Sequence, residues 1–177
     1  MTSLKLEIAQ EPPFSSVEEE ALLNVMRSSD CLHRAFHQKT RQWGVTSTQY
    51  NVLRILRGSQ PHGLTCSAIG HRMITAEPDI TRLLARMKAL KWIKQERDTK
   101  DRRVVWTHIS KAGLALLNEM DPVILAAPGD LLGHLKPEEL TELIRLLELA
   151  RKRCGDPQAP VSCSGNHDEA SVACDAG

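Results

Sequence analysis

Leu64–Leu117, LTCSAIGHRMITAEPDITRLLARMKALKWIKQERDTKDRRVVWTHISKAGLALL, is the stretch on which the fold turns. At its centre Ile80, Leu83, Leu84, Met87 and Leu90 recur at steps of three and four, one face of an amphipathic helix. That helix is expected to begin near Glu77, with Pro78 tolerated in its first turn. Ahead of it, Thr65 caps a shorter helix running through Ile69 to about Met73. Behind it, Trp92–Glu96 and the β-branched run Val104–Ile109 read as two strands. Arg97–Arg103 between them is wholly polar or charged, which suits an exposed hairpin tip. Ser110 opens the next helix, carrying Leu114, Leu117 and Met120.

Working outward, Ser59–Leu64 reads as a loop because it holds Pro61 and Gly63. Thr46 with Gln49 forms a capping box for a helix lined by Tyr50, Leu53 and Leu56 and ending near Gly58. Further upstream, Ser15 and Ser16 stand three residues before Glu18 and Glu19. Leu22, Val25, Ser29, Leu32 and Phe36 then mark a helix to about Arg41, closed by Trp43-Gly44. Pro12 and Pro13 leave Met1–Phe14 as a flexible arm. On the other side, Pro122 and Pro128 are expected to interrupt or kink the chain. Lys136-Pro137-Glu138 opens a last helix with Leu140, Leu143, Ile144, Leu147 and Ala150. The Gly-, Ser-, Pro- and Asp-rich tail after Cys154 reads as disordered.

The central order is therefore helix, short helix, helix, strand, charged hairpin, strand, which is a winged helix–turn–helix. Charge supports a nucleic-acid role for it. The net charge is only +1, yet Arg72–Arg103 holds ten Lys or Arg against five Asp or Glu, while residues 155–177 hold four acids and no Lys or Arg. The fourth helix buries its apolar stripe and leaves Asp79, Arg82 and Arg86 off it, with Pro78 and Thr81 near its start. A helix enters the major groove and reads base edges from its N-terminal residues. Arg there donates two bonds to guanine, Asp accepts from cytosine, and Thr meets a thymine methyl. Lys88 and Lys91 add charge at the far end. In the hairpin, Arg97, Lys100, Arg102 and Arg103 can bring an Arg into the minor groove. Asp101 among them is expected to pair with an Arg and fix the wing's shape.

Leu64–Leu117 resembles the core of MarR-type (multiple-antibiotic-resistance) regulators. The resemblance rests on ITRLL at Ile80–Leu84, DRR at Asp101–Arg103 and SKAG at Ser110–Gly113, with TSTQYNVLRIL at Thr46–Leu56 similar to the helix before that core. It spans about Ser15 to Arg153. It implies that Pro78, Asp79, Thr81 and Arg82 face bases, that Asp101 and Arg103 organise the wing, and that Arg102 lies near its tip. Glu77-Pro78-Asp79 departs from the Arg, Ser and Thr that many relatives carry there. The resemblance also implies a homodimer through the first and last two helices, and the broad apolar face of Leu140, Leu143, Ile144, Leu146 and Leu147 agrees.

The expected fold class is mainly α with a small β wing: a winged helix–turn–helix core flanked by dimerisation helices. The expected layout is an arm (1–14), a domain (15–153) and a tail (154–177). Within the domain, 45–109 is the DNA-binding lobe, and 15–44 and 110–153 are the dimerisation helices. The expected function is a sequence-specific, ligand-responsive repressor of double-stranded DNA acting on a pseudo-palindromic operator. A small-molecule effector is a further expected partner, with His33, His37, Trp43 and Tyr50 as candidate lining.

Two alternatives stand beside it: a winged-helix protein–protein module without DNA binding, and a thiol-based redox sensor using Cys66 in the first turn of the third helix. The cations at Arg82, Arg86, Arg102 and Arg103 argue against the first, and a buried inert Cys66 is the plainer reading against the second. His33 and His37 have a metal-compatible spacing but no third ligand, so no metal or cofactor is expected. Cys154, Cys163, His167 and Cys174 are scattered, and five cysteines in all make no disulfide framework. Neither G-x-S-x-G, H-E-x-x-H nor a Gly-rich phosphate loop occurs, so no enzyme is expected. Six aromatics are too few for a base-stacking surface. With no signal segment and no span of about 20 apolar residues, the expected location is cytoplasmic, away from the membrane.

Overall fold

One side-chain oxygen marks the start of most helices. Ser16 Oγ accepts from the Glu19 N–H to open α2 (Val17–Arg41). Thr46 and Gln49 complete a reciprocal capping box on α3 (Ser47–Gly58). Thr65 caps α4 (Cys66–Arg72), Asp79 caps α5 (Ile80–Ala89), and Ser110 caps α6 (Lys111–Leu132). Before these lies a short turn, α1 (Leu4–Glu7), and after them α7 (Pro137–Arg151). Strands β1 (Ile93–Arg97) and β2 (Val105–Ile109) separate α5 from α6. This computed structural model describes residues 3–154; apart from Cys154, the expected C-terminal tail, including Cys163, His167 and Cys174, lies outside the described residues.

The chain folds mainly as helices with a small β wing. One apolar core joins α3 (Val52, Leu53, Leu56), α4 (Ile69), α5 (Leu83, Leu84, Met87), the strand bases (Ile93, Ile109) and α6 (Leu117, Met120, Ile124). Each such side chain contributes about 1.5–3 kcal/mol on leaving water. β1 and β2 pair antiparallel, from Ile93↔Ile109 at the base to Arg97↔Val105 near the tip. Leu64 adds a further rung: its N–H donates to the Thr107 carbonyl (3.0 Å) and its carbonyl accepts from the Thr107 N–H (2.8 Å). Read from sequence as loop, this segment is drawn into the sheet because Gly63 takes φ +69° and leaves room for the His108 ring.

Four local expectations change. Leu4–Glu7 forms a helical turn ahead of Pro12 and Pro13, with Leu4 buried and Glu7 3.6 Å from Arg27. α5 begins at Ile80 rather than Glu77, since Asp79 takes the cap and puts Pro78 outside the helix. Leu90, counted in the buried stripe, is half exposed. It lies at the C-cap, where Lys91 turns left-handed (φ 61°) and the Lys91 and Trp92 N–H groups close on the Lys88 and Met87 carbonyls. Finally, α6 continues through Pro122 and Pro128. Each proline deletes a backbone bond, but Met120, Ile124 and Ala127 are buried on either side and hold the helix together.

Candidate nucleic-acid interface

The geometry of α5 follows from its cap. Asp79 Oδ1 accepts the Arg82 N–H at 2.9 Å, so one oxygen of this exposed carboxylate is engaged by the helix. Leu83, Leu84 and Met87 face inward. Pro78, Asp79, Thr81, Arg82 and Arg86 are all exposed, with Arg82 and Arg86 one turn apart on the outer side. The helix therefore offers two exposed arginines, one turn apart, beyond a capped N-terminus.

In the wing, residues 98–104 close by two backbone bonds, Asp98 N–H to the Val104 carbonyl (3.0 Å) and Val104 N–H to the Asp101 carbonyl (2.9 Å). Asp101 Oδ1 accepts from the Arg103 backbone N–H (3.0 Å); it is not paired with a guanidinium, which corrects the expected Asp–Arg pair. Sequence reasoning missed the larger organiser. Asp98 Oδ1 accepts from the backbone N–H groups of Lys100 (2.7 Å) and Asp101 (2.9 Å), and its Oδ2 accepts from the Trp106 indole N–H (2.9 Å). The available signal was an Asp opening a polar turn, where its oxygen takes the N–H two residues on.

A carboxylate bonded three ways holds its proton weakly. The Asp101 N–H, the Trp106 indole and the Lys100 N–H keep Asp98 below the ordinary carboxylate range. A depressed folded pKa adds stability above the unfolded value and loses it as pH falls through the folded one. The Trp106 indole proton resonance is therefore expected to hold constant from neutral pH down past the usual Asp midpoint and to move only below it. A midpoint at or above that of a model aspartate would refute the bond.

Arg27, Arg34, Lys39, Arg57 and Arg145 each sit within 4 Å of a carboxylate. Among the described residues, none of the ten cations from Arg72 to Arg103 does so, and Arg102 and Arg103 are exposed at the tip. Behind this face, α6 is tied to the rest of the protein. Arg57 reaches Asp121 through two bonds (2.6 and 3.1 Å), Trp43 Nε1 donates to Glu119 (2.9 Å) and Lys39 meets Asp130 (2.7 Å).

The remaining sequence candidates are scattered. His33 Nε2 lies 3.0 Å from Ser47 Oγ, Tyr50 is buried beneath Phe36 with ring centroids 5.8 Å apart, and Cys66 packs half-buried against the core. Among the described residues no group of three or more His, Cys, Asp or Glu could hold a metal, and no helix is long and apolar enough to cross a membrane.

The family profile described as "MarR family" matches residues 43–104, from the end of α2 to the wing. The crystal structure of a MarR transcription factor from Planctomyces limnophilus is 36% identical, over 77% of this chain and 99% of that one, with a TM-score of 0.59. The chain belongs to the MarR family. Two further proteins are similar to the chain. The HTH-type transcriptional regulator YkoM of Bacillus subtilis is 26% identical over 144 residues, 77% of this chain and 90% of YkoM. The MarR-family regulator Sco3205 of Streptomyces coelicolor, solved in complex with DNA, shares the fold at 17% identity and a TM-score of 0.69, over 81% of this chain and 91% of that one. As a MarR-family protein this chain is a winged-helix, DNA-binding transcription regulator. The profile ends at Val104, so the β2 side of the wing, including Trp106, falls beyond it.

Proposed function

We propose that this MarR-family regulator is a ligand-responsive repressor that binds a pseudo-palindromic duplex as a homodimer. Residues 45–109 serve as the reading lobe, and 15–44 and 110–153 as the dimer helices. The observation that carries the reading is the partition of charge. Five of the thirteen Lys and Arg outside Arg72–Arg103 have a carboxylate within 4 Å, whereas among the described residues none of the ten inside it does, which leaves them for an outside polyanion. Pro78, Asp79, Thr81, Arg82 and Arg86 face the major groove, Arg102 and Arg103 the backbone and minor groove, and Asp101 organises the wing. The DNA complex of Sco3205 supports this use of the fold. A protein–protein module would have no reason to keep these cations.

The dimer reading draws on α7, none of whose residues is buried; Ile144 is 57% and Leu149 52% exposed. Leu22 and Val25 on α2 and Leu125 on α6 are exposed too. A surface this apolar is covered in solution by a second copy. An effector bound where the lobe meets the dimer helices would change the spacing of the two α5 helices, with a coupling of about 1–3 kcal/mol. The cross-ties Arg57–Asp121 and Trp43–Glu119 run through that junction.

Selection of duplexes from a random pool is expected to return inverted repeats with half-site centres about 10 bp apart, and sedimentation to show a dimer at micromolar concentration. Unrepeated half-sites with a monomeric protein would overturn the dimer.

A further inference from the structure

The wing tip holds two carboxylates among its cations, and the structure directs both to neutral donors. Asp101 takes the Arg103 N–H, and Asp98 takes two backbone N–H groups and the Trp106 indole. A seven-residue polar loop with no apolar anchor samples many conformations in water. Here the anchor comes from β2. Trp106 stands opposite Glu96, below the tip, and is half-buried on the hairpin. Its indole N–H donates to Asp98 Oδ2 at 2.9 Å. The choice of donor matters. A guanidinium bonded to Asp98 would hold the tip equally well, but it would remove one positive charge from the surface that meets phosphate. An indole N–H holds the tip and spends no charge.

We propose that Trp106 is a positioning residue for DNA binding: through Asp98 it fixes the wing tip so that Arg102 and Arg103 are presented already ordered and unneutralised to the duplex. Without the bond, those two side chains and their loop would have to be ordered on binding, which lowers affinity. Lys100 is exposed on the same tip and benefits in the same way. The proposal rests on the wing reading given above, and its test separates the two.

The experiment titrates the full-length protein against the duplex selected in vitro, by fluorescence anisotropy at several salt concentrations, with melting temperature measured in parallel. Trp106→Phe keeps the ring and deletes only the N–H. It is expected to weaken binding about tenfold, the worth of one bond to a charged acceptor, while shifting melting by a few degrees at most. Base preference at positions read by α5 should persist. Asp98→Asn, conservative in shape and half-exposed, is the second variant and should weaken binding in the same direction, the lost indole bond outweighing the negative charge that leaves the tip. The decisive arm is a cycle with Arg102→Ala/Arg103→Ala. If Trp106 acts through those arginines, Trp106→Phe is nearly silent once they are gone. If the arginine variant binds as the parent does, the wing reading fails. If the arginines matter and Trp106→Phe binds normally, or its loss simply adds to theirs, the positioning role fails and Trp106 is structural.

Discussion

Gly113→Ala is expected to cost about 3 kcal/mol of folding stability, the upper range for forcing an extra methyl into a packed site. A Cβ at this position runs into the Trp92 carbonyl oxygen and crowds the Ile109 side chain. The first obstacle is backbone, so no rotamer change relieves it. Nor is there room to move that backbone. The Ser110 N–H donates to the Trp92 carbonyl at 2.9 Å, the Ser110 hydroxyl donates to the Lys91 carbonyl at 2.6 Å, and the same hydroxyl accepts the Gly113 N–H at 3.0 Å. Three elements meet here: the end of α5, the start of β1 and the first turn of α6. Urea unfolding followed by circular dichroism checks the size of the effect. Gly58→Ala, where nothing lies within 4 Å, is the control and should be neutral or slightly stabilising. Equal effects at the two sites would mean that the close approach is not as described. The same junction fixes the reading helix to α6, so Gly113→Ala protein that folds should lose DNA affinity along with stability.

Arg82→Ala is expected to lower affinity for the selected duplex by about 1–3 kcal/mol, roughly 5- to 150-fold, with a much smaller loss on scrambled DNA. The side chain is exposed, engaged in no ion pair among the described residues, and placed in the first turn of α5. A base-reading arginine loses a two-bond contact to guanine, so preference at one position per half-site should relax. An arginine gripping phosphate would lower both affinities together and reduce the salt slope by about one. Asp79→Ala provides the companion measurement. Its carboxylate caps α5 at 2.9 Å, so its loss should cost about 1 kcal/mol of stability. Non-specific DNA affinity should nevertheless rise, because a negative charge leaves the face that meets phosphate. Unchanged specificity ratios for both variants would remove α5 as the reader.

The fold was legible in the sequence wherever period and capping agreed. Thr46, Thr65 and Ser110 each cap the helix that their spacing announces, and Leu83, Leu84 and Met87 are buried as the three-and-four pattern requires. Local physics governs such features, since a hydroxyl bonded three residues ahead and one apolar face need only neighbours in the chain. The winged order, the basic middle of the chain and the SKAG entry to α6 follow from the same kind of information.

What only the tertiary structure decided involves partners far apart in sequence or competition between two plausible local uses. The sequence placed the start of α5 near Glu77, and the bond of the Asp79 cap to the Arg82 N–H moves it to Ile80. Pro122 and Pro128 were expected to interrupt or kink the chain; they do not interrupt α6, because core contacts outweigh two missing bonds. Gly113 matters because Trp92 lies against it, some twenty residues away in sequence. The wing makes the point most directly. Composition shows that Asp98 and Asp101 lie among cations, which suggests ion pairing, but bond direction depends on where the backbone N–H groups and the Trp106 indole end up. Charge and periodicity are properties of the sequence; which donor satisfies which acceptor is settled when β1 and β2 pair and the tip closes.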